Sequence, residues 1–153
     1  MSEAYQSAML LLSRREHGRC ELALKLKQKG WDKDTVDQVI HRLIQEGSLS
    51  DERYVEMVFR SQIQQGAGPI KIQNYLRSKG VSDALINWGL ATCGANWPEL
   101  LYVLWKKKYD VIGPQYSKLY EKQVRFFLQR GFSMEVIQKF FQTMYLNSAS
   151  MGS

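Results

Sequence analysis

Apolar residues recur at helical spacing along this chain of 153 residues, with polar residues between them. The clearest stretch runs from Gly47 to Val81, where Val55, Val58 and Phe59 fall on one face of a helix. Alternating β-branched runs and Asn-Gly turns are absent from the sequence, so no strand is predicted. The pattern predicts an all-α fold with nine helices, near residues 3–16, 19–29, 33–46, 50–65, 69–79, 82–93, 97–109, 115–130 and 133–146.

Short polar residues and glycines mark the predicted helix ends. Helix starts are expected at Asp32, Ser50, Ser82 and Ser133, with Asp51 as a second capping candidate beside Ser50. Gly66 and Gly68 interrupt one helix, and Pro69 opens the next, where its missing N–H costs nothing. These signals agree with the boundaries that the apolar spacing predicts.

The chain also contains an internal repeat. Gly30, Gly80 and Gly131 lie 50 and 51 residues apart, and apolar residues or cysteine surround each at the same five offsets. These columns are Leu26, Leu76 and Phe127; Trp31, Val81 and Phe132; Val36, Ile86 and Ile137; Ile40, Leu90 and Phe141; and Leu43, Cys93 and Met144. Five shared columns predict three tandem copies.

Each predicted copy contains three helices. The copies are expected at residues 1–48, 49–94 and 95–147, followed by a flexible polar tail, residues 148–153. Tandem helical repeats usually stack, because each copy buries the face that its neighbour leaves open. We therefore expect an elongated, curved nine-helix molecule whose concave surface suits a long partner, such as a nucleic acid or a protein filament.

Two motifs resemble the RecX family. The run RREHGRCELALKL, residues 14–26, is similar to the family motif Arg-Arg-Glu-His-Ser-Arg-x-Glu-Leu, with Gly18 in place of serine. The second motif is similar to the middle part of RecX sequences. It consists of Asp51 with Tyr54-Val55, where the family prefers Phe-Ala, followed by Gly68-Pro69 with Lys71-Ile72, and by Leu76 before Lys79-Gly80-Val81. Together the motifs cover about residues 5–90, whereas the last third matches the family only as a helical pattern.

The resemblance carries functional expectations, since RecX proteins are small regulators of the bacterial recombinase RecA. It implies that this chain lies in the groove of the RecA–DNA filament and limits filament extension, strand exchange, ATP hydrolysis and coprotease activity. It further implies a role in DNA repair, recombination and the SOS response, with contacts to single-stranded or filament-bound DNA. A cytoplasmic, monomeric protein that needs no cofactor is expected.

The charge distribution points to an acidic partner. The net charge is +6, and residues 95–153 carry 8 Lys+Arg against 4 Asp+Glu. The candidate filament- or DNA-binding residues are Arg14, Arg15, Arg19, Lys25, Arg53, Arg60, Lys71, Arg77, Lys106, Lys107, Lys108, Lys118, Lys122 and Arg125. Tyr102, Tyr109, Tyr116 and Tyr120 are interleaved with the last of these. Such a pattern binds single strands by charge and stacking, although core aromatics beside a solvated basic face would give the same spacing.

Other roles for the prominent residues stay open. Glu16 and Glu21 can pair with the arginines of residues 14–19, so part of that cluster is a candidate for holding helices together. His17 is expected to make a loop or cap contact, and Cys20 and Cys93 to be small buried residues.

Catalytic motifs are missing from the sequence. It contains no phosphate loop, no Gly-x-Ser-x-Gly motif and no metal-ligand spacing among its two histidines and two cysteines. No apolar run approaches the roughly 18 residues of a membrane span. We therefore expect a binding protein and not an enzyme. The alternatives are a sequence-nonspecific nucleic-acid-binding helical repeat protein and a helix-turn-helix module.

Overall fold

The computed structural model describes residues 2–151, and these residues form nine helices and no strand. The helices are α1 (Ser2–Arg14), α2 (Arg19–Gln28), α3 (Lys33–Gln45), α4 (Asp51–Gln64), α5 (Pro69–Ser78), α6 (Asp83–Thr92), α7 (Trp97–Lys108), α8 (Lys118–Gln129) and α9 (Met134–Met151). The all-α prediction and the helix count are confirmed for this part of the chain.

The predicted caps explain where several helices begin. Asp32 Oδ1 accepts a hydrogen bond from the Thr35 backbone N–H at 2.8 Å. The hydroxyls of three further predicted residues, Ser50, Ser82 and Ser133, cap α4, α6 and α9 in the same way. Two residues that were not predicted as caps, Asn96 and Ser117, cap α7 and α8.

Two helix boundaries differ from the prediction. Helix α8 begins at Lys118 instead of residue 115, because Tyr116 has a φ of 63°, a left-handed conformation that a right-handed helix cannot contain. Helix α9 continues to Met151 instead of ending near residue 146. Gly152 and Ser153, at the end of the predicted tail, lie outside the described residues.

The chain divides into two compact units. The first contains residues up to Arg60 together with Tyr75–Cys93, and the second contains Ser61–Asn74 together with residues from Gly94 onward. In the first unit, α1, α2 and α3 enclose a core that includes Leu22, Leu26, Val36 and Leu43, all fully buried. In the second unit, α7, α8 and α9 enclose a core rich in aromatic residues, which include Trp105, Phe127, Phe132, Phe140 and Phe141.

The repeated apolar columns form much of these cores. We call the three repeated glycines, Gly30, Gly80 and Gly131, the marker glycines. The residues four positions before them are all fully buried, namely Leu26, Leu76 and Phe127. Val36, Ile86 and Ile137, six residues after the glycines, are fully buried as well. The period of about 50 residues therefore reports equivalent buried positions.

Two backbone hydrogen bonds join α5 to the end of α8 within the second unit. The N–H of Gly68 donates to the carbonyl of Arg130 at 2.6 Å, and the N–H of Ile70 donates to the carbonyl of Gly131 at 2.9 Å. The free donors at the start of one helix thus satisfy free acceptors at the end of another. A Cβ on Gly68 would lie 2.5 Å from the Gly131 carbonyl carbon, so the approach requires glycine.

An equivalent contact lies within the first unit, at the start of α2. A Cβ on Gly80 would lie 2.8 Å from the Cβ of Cys20, whose Sγ is 3.6 Å from the Gly80 carbonyl oxygen. Cys20 is nevertheless exposed and Cys93 half-buried, so the prediction of buried cysteines is wrong. Gly30, the equivalent glycine of the first copy, has no described atom within 4 Å of an added Cβ.

This difference predicts unequal costs for the same substitution at two glycines. Gly30 and Gly131 have similar φ values, 105° and 97°, so alanine strains the backbone about equally at both positions. At Gly131 the new Cβ would also overlap Lys71. We expect Gly131→Ala to lower the free energy of unfolding by about 1–3 kcal/mol more than Gly30→Ala. Urea unfolding of the two variants measures this difference, and equal losses would contradict the close-approach explanation.

A second glycine prediction concerns the middle of α6. Alanine usually stabilises a helix interior by about 1 kcal/mol relative to glycine, but a Cβ on Gly89 would overlap Val55 Cγ1 and lie 2.8 Å from the Phe59 ring. We therefore expect Gly89→Ala to destabilise the protein by about 1–3 kcal/mol. In the double variant with Val55→Ala, the loss caused by Gly89→Ala should be smaller than in the single variant. A double-mutant cycle by urea unfolding measures this difference. Strictly additive losses would show that the two side chains do not compete for space.

Candidate partner-binding surface

Arg15 forms an internal ion pair in the first unit. Its guanidinium donates to both carboxylate oxygens of Glu21, at 3.0 and 2.8 Å. Glu21 is only 5% exposed, and Lys79 Nζ lies 3.8 Å from the same carboxylate. This bidentate geometry is the strong form of an Arg–carboxylate contact. Arg15 is therefore engaged in holding the α1–α2 connection to α2.

The pKa of Glu21 reflects two opposing influences. Burial alone would raise the pKa, because it penalises the charged carboxylate. The hydrogen bonds and charge of Arg15 outweigh this, so the pKa of Glu21 lies below its usual value. The carboxylate is consequently ionised at neutral pH and the ion pair is intact there.

His17 lies in the same network and is buried. Its Nδ1 is 3.1 Å from the Arg15 carbonyl oxygen, and its Nε2 is 2.9 Å from Lys25 Nζ. An ammonium group only donates, so Nε2 accepts from Lys25 and Nδ1–H donates to the carbonyl. Burial lowers the pKa of His17, and the nearby charges of Arg15 and Lys25 lower it further, so the neutral ring is favoured.

Asp51 caps α2 from the start of α4. Its Oδ1 accepts a hydrogen bond from the Arg19 backbone N–H at 2.7 Å, at the point where Gly18 offers no side chain. Ser50 supplies the hydroxyl that caps α4 itself. The prediction that Asp51 belongs to the cap of α4 is therefore corrected. A Cβ on Gly18 would lie 3.0 Å from the Tyr54 ring, which leaves little room there.

Arg53 also acts inside the fold. Its Nε donates to Glu16 Oε1 at 3.0 Å, and its Nη2 donates to the Gly47 carbonyl at 2.7 Å. Arg77 pairs with Asp83 at 3.1 Å. Four predicted binding residues of the first unit therefore have internal roles: Arg15, Lys25, Arg53 and Arg77.

Other predicted cations of the chain are exposed without side-chain partners among the described residues. The first unit contains three of these residues, Arg14, Arg19 and Arg60, and the second unit contains two more, Lys71 and Lys107. They carry charge that a partner can approach without first breaking an internal ion pair.

The most regular basic surface lies on α8. Lys118, Lys122 and Arg125 are four and three residues apart, so they share one side of the helix. All three are exposed, and no hydrogen bond or ion pair joins them to another described residue. We call these three residues the α8 basic face. The other side of α8 is anchored by Phe127, which is fully buried.

The lysines at the end of α7 lie against aromatic rings. Lys106 Nζ is 5.9 Å from the centre of the Tyr102 ring, and Lys108 Nζ is 4.5 Å from the centre of the Phe126 ring. Tyr109 and Tyr120 are half-buried within the aromatic core, as the alternative interpretation predicted. Tyr116 is different, because 73% of its surface is exposed.

Several important residues gave no recognisable sequence signal. Gln123 is fully buried, accepts a hydrogen bond from Trp105 Nε1 at 3.2 Å and donates to the Val111 carbonyl at 3.0 Å. Arg130 donates from Nη1 to the Gln65 carbonyl at 3.1 Å. These three contacts join residues 12 or more positions apart in sequence, so no local spacing predicts them.

Neither a metal-binding cluster nor a membrane-spanning helix is found among the described residues. They contain no group of three or more His, Cys, Asp or Glu side chains placed to hold a metal ion. None of their helices combines the length and apolar character that crossing a bilayer requires.

Family models match the chain in three places. Residues 4–43 match the model described as RecX, first three-helix domain. Residues 50–90 match the second three-helix domain of RecX, and residues 98–141 match the third. The three tandem units predicted from the repeated apolar columns correspond to these three models.

Several relatives carry the name Regulatory protein RecX. One, from Pseudomonas savastanoi pv. phaseolicola, is 38% identical over 132 residues, which is 86% of this chain and 85% of the relative. Another, from Legionella pneumophila, is 40% identical over 143 residues, or 93% and 95% of the two chains. The crystal structure of RecX from Lactobacillus salivarius superposes with a TM-score of 0.79 at 25% identity, covering 95% of this chain and 96% of that one.

The buried histidine predicts how stability depends on pH. The unfolded chain binds a proton at His17 near pH 6.5, whereas the folded chain resists protonation because its pKa is lower. The folded state should therefore have its full stability above about pH 6.5 and lose stability as the pH falls toward the lower, folded-state value. Urea unfolding between pH 7.5 and 5.5 measures this loss.

Two variants isolate the contribution of His17. His17→Gln should make the free energy of unfolding less dependent on pH over this range. His41→Gln, at an exposed position of α3, is the matched control and should keep the wild-type dependence. If His17→Gln retained the whole dependence, protonation of His17 would not be its source and the explanation would be rejected.

Proposed function

This chain belongs to the RecX family of regulatory proteins, and we propose that it regulates the RecA recombinase by binding to RecA–DNA filaments. In this proposal it lies in the filament groove and limits filament extension, strand exchange, ATP hydrolysis and coprotease activity. The action is steric and electrostatic, takes place in the cytoplasm, and needs neither catalysis nor a cofactor. Its setting is DNA repair and recombination and the SOS response.

The α8 basic face is the observation that supports binding to a filament most directly. Its three cations are exposed and have no partner among the described residues, so contact with phosphates or acidic side chains does not first require an internal ion pair to break. Backbone phosphates attract such a surface without reading base sequence. A regulator that acts along a whole filament needs this kind of sequence-independent contact.

The internal contacts of the first unit narrow the set of proposed binding residues. Because Arg15, Lys25 and Arg53 hold the fold together, we assign the partner contacts of this unit to Arg14, Arg19 and Arg60. In the second unit, Lys71 and Lys107 are available in addition to the α8 basic face.

Three modest contact patches can together give strong binding to a polymer. We propose that the predicted repeats, residues 1–48, 49–94 and 95–147, each contribute one patch from a single, monomeric chain. Once one patch is bound, the others meet neighbouring parts of the filament at high effective concentration. Affinity for the filament should then exceed affinity for the unassembled recombinase.

A second candidate function is sequence-nonspecific binding to nucleic acid alone. The exposed ring of Tyr116, close in sequence to the α8 basic face, favours this alternative because single strands bind by charge and stacking. The two functions differ in whether RecA adds to the binding that bare DNA provides.

Co-sedimentation with RecA filaments on single-stranded DNA tests the proposed function, with bare DNA and unassembled RecA as parallel samples. We expect the protein to pellet with filaments at concentrations where bare DNA recruits little. The triple variant K118E/K122E/R125E should weaken filament binding by at least about tenfold, because attraction becomes repulsion at the α8 basic face.

A charge-matched control separates this surface from net charge. K27E/K29E/K33E makes the same change in net charge at exposed positions of the first unit and should weaken binding much less. Equal binding to bare DNA and to filaments would reject the proposed function in favour of the second candidate. Equal losses in the two triple variants would reject the α8 basic face as the docking surface.

A further inference from the structure

A small polar pocket lies in the second unit, between the segment that precedes α8 and the side of α9. Its walls include the side chains of Gln115, Tyr116, Tyr120, Gln138 and Gln142, and we call it the tyrosine–glutamine pocket. Its volume is about 220 Å³, below the roughly 300 Å³ at which pockets for drug-sized ligands begin. The space therefore suits a single ring system.

Tyr116 forms the open wall of this pocket. Its side chain is 73% exposed, and its backbone φ of 63° is one that residues other than glycine rarely adopt. The ring meets Tyr120 edge to face at 5.6 Å between centroids, and Tyr120 in turn lies 4.9 Å from Phe141. One aromatic wall is thus anchored to the core while the other faces solvent, where a planar group can stack on it.

The segment that carries Tyr116 is held at two points. The Tyr145 hydroxyl donates to the Gly113 carbonyl at 3.1 Å, and the buried Gln123 donates to the Val111 carbonyl at 3.0 Å. These contacts fix the segment before a ligand arrives. A pre-organised site loses less conformational entropy on binding than a mobile one.

The chemistry of the pocket selects a neutral ligand with both donors and acceptors. None of the described residues that line it is charged. The amide side chains of Gln115, Gln138 and Gln142 each offer two N–H donors and a carbonyl acceptor, and none is hydrogen-bonded to another described residue. A nucleobase has a flat face for the tyrosine ring and an edge of donors and acceptors for the amides.

We propose that the tyrosine–glutamine pocket takes one unpaired nucleobase of a single-stranded DNA. Lys118 is exposed and follows Tyr116 by two residues, so it supplies a positive charge for an adjoining phosphate. The inference rests on the DNA contact in the proposed function and deepens it by naming the part of the DNA that is held.

Two fluorescently labelled oligonucleotides of equal length test the proposal at low salt. One is oligothymidylate, and the other has the same sugar–phosphate backbone with abasic sites in place of the bases. We expect the wild-type chain to bind oligothymidylate at least about fivefold more tightly by fluorescence anisotropy, the contribution of one stacked base. The single variants Tyr116→Ala and Gln138→Leu should each bring the ratio of the affinity for oligothymidylate to the affinity for the abasic oligonucleotide close to one.

Conservative and matched variants make the result specific. Tyr116→Phe keeps the stacking face and should keep the ratio. Gln129→Leu changes an exposed glutamine of α8 outside the pocket and should leave the ratio unchanged. Lys118→Gln should weaken both oligonucleotides alike. Photocrosslinking of 4-thiothymidine in the oligonucleotide should label Tyr116 or Tyr120, and thermal unfolding verifies that each variant is folded.

Several outcomes would overturn the inference. These are equal binding of the two oligonucleotides by the wild-type chain, a ratio that survives Tyr116→Ala, or no binding of either oligonucleotide. The filament assay is a separate test. Base-dependent binding without recruitment to filaments would reject the proposed function and support the nucleobase site. Recruitment to filaments without base dependence would support the proposed function and reject the nucleobase site.

Discussion

The two hydrogen bonds from the Gly68 and Ile70 amides to the Arg130 and Gly131 carbonyls bring the backbones of two helix ends into direct contact in the second unit. They satisfy free groups at the ends of two helices, and they exclude any side chain at Gly68 or Gly131. Gly80 meets Cys20 similarly within the first unit. The marker glycines at these two contacts are therefore required by close packing as well as by their positive φ.

The charged residues divide into those that stabilise the fold and those that remain available to a partner. The motif at residues 14–26 contributes a network around two buried side chains, in which Arg15 meets Glu21 and Lys25 meets His17. Removing one member of such a network leaves another polar group buried without its partner, which costs far more than loss of a surface ion pair. Within this basic motif, the division leaves Arg14 and Arg19 available to a partner, because Arg15 and Lys25 are engaged in the fold. The α8 basic face has no such internal role among the described contacts.

Much of the fold could be predicted because its signals are local. Helix starts depend on a cap and the next three residues, and buried faces depend on spacing within one helix, so Asp32, Leu26 and Ile86 were all identifiable. Two arginines pair with carboxylates that lie farther away in the sequence. Arg15 pairs with Glu21, 6 residues away, and Arg53 pairs with Glu16, 37 residues away. Several carboxylates were equally plausible partners for each arginine, so the sequence did not identify these pairs. The start of α8 was misplaced because the left-handed Tyr116 leaves no trace in hydrophobic spacing.

The central claim has two parts. Cations such as Arg15, Lys25 and Arg53 form contacts within the fold, whereas the α8 basic face binds the filament. Lysine acetylation footprinting of the wild-type chain, with and without RecA filaments, tests it without any substitution. The account predicts that filaments protect Lys118 and Lys122, while Lys27, Lys29 and Lys33 keep their reactivity. The opposite result would contradict it, namely that filaments protect Lys27, Lys29 and Lys33 while Lys118 and Lys122 stay reactive.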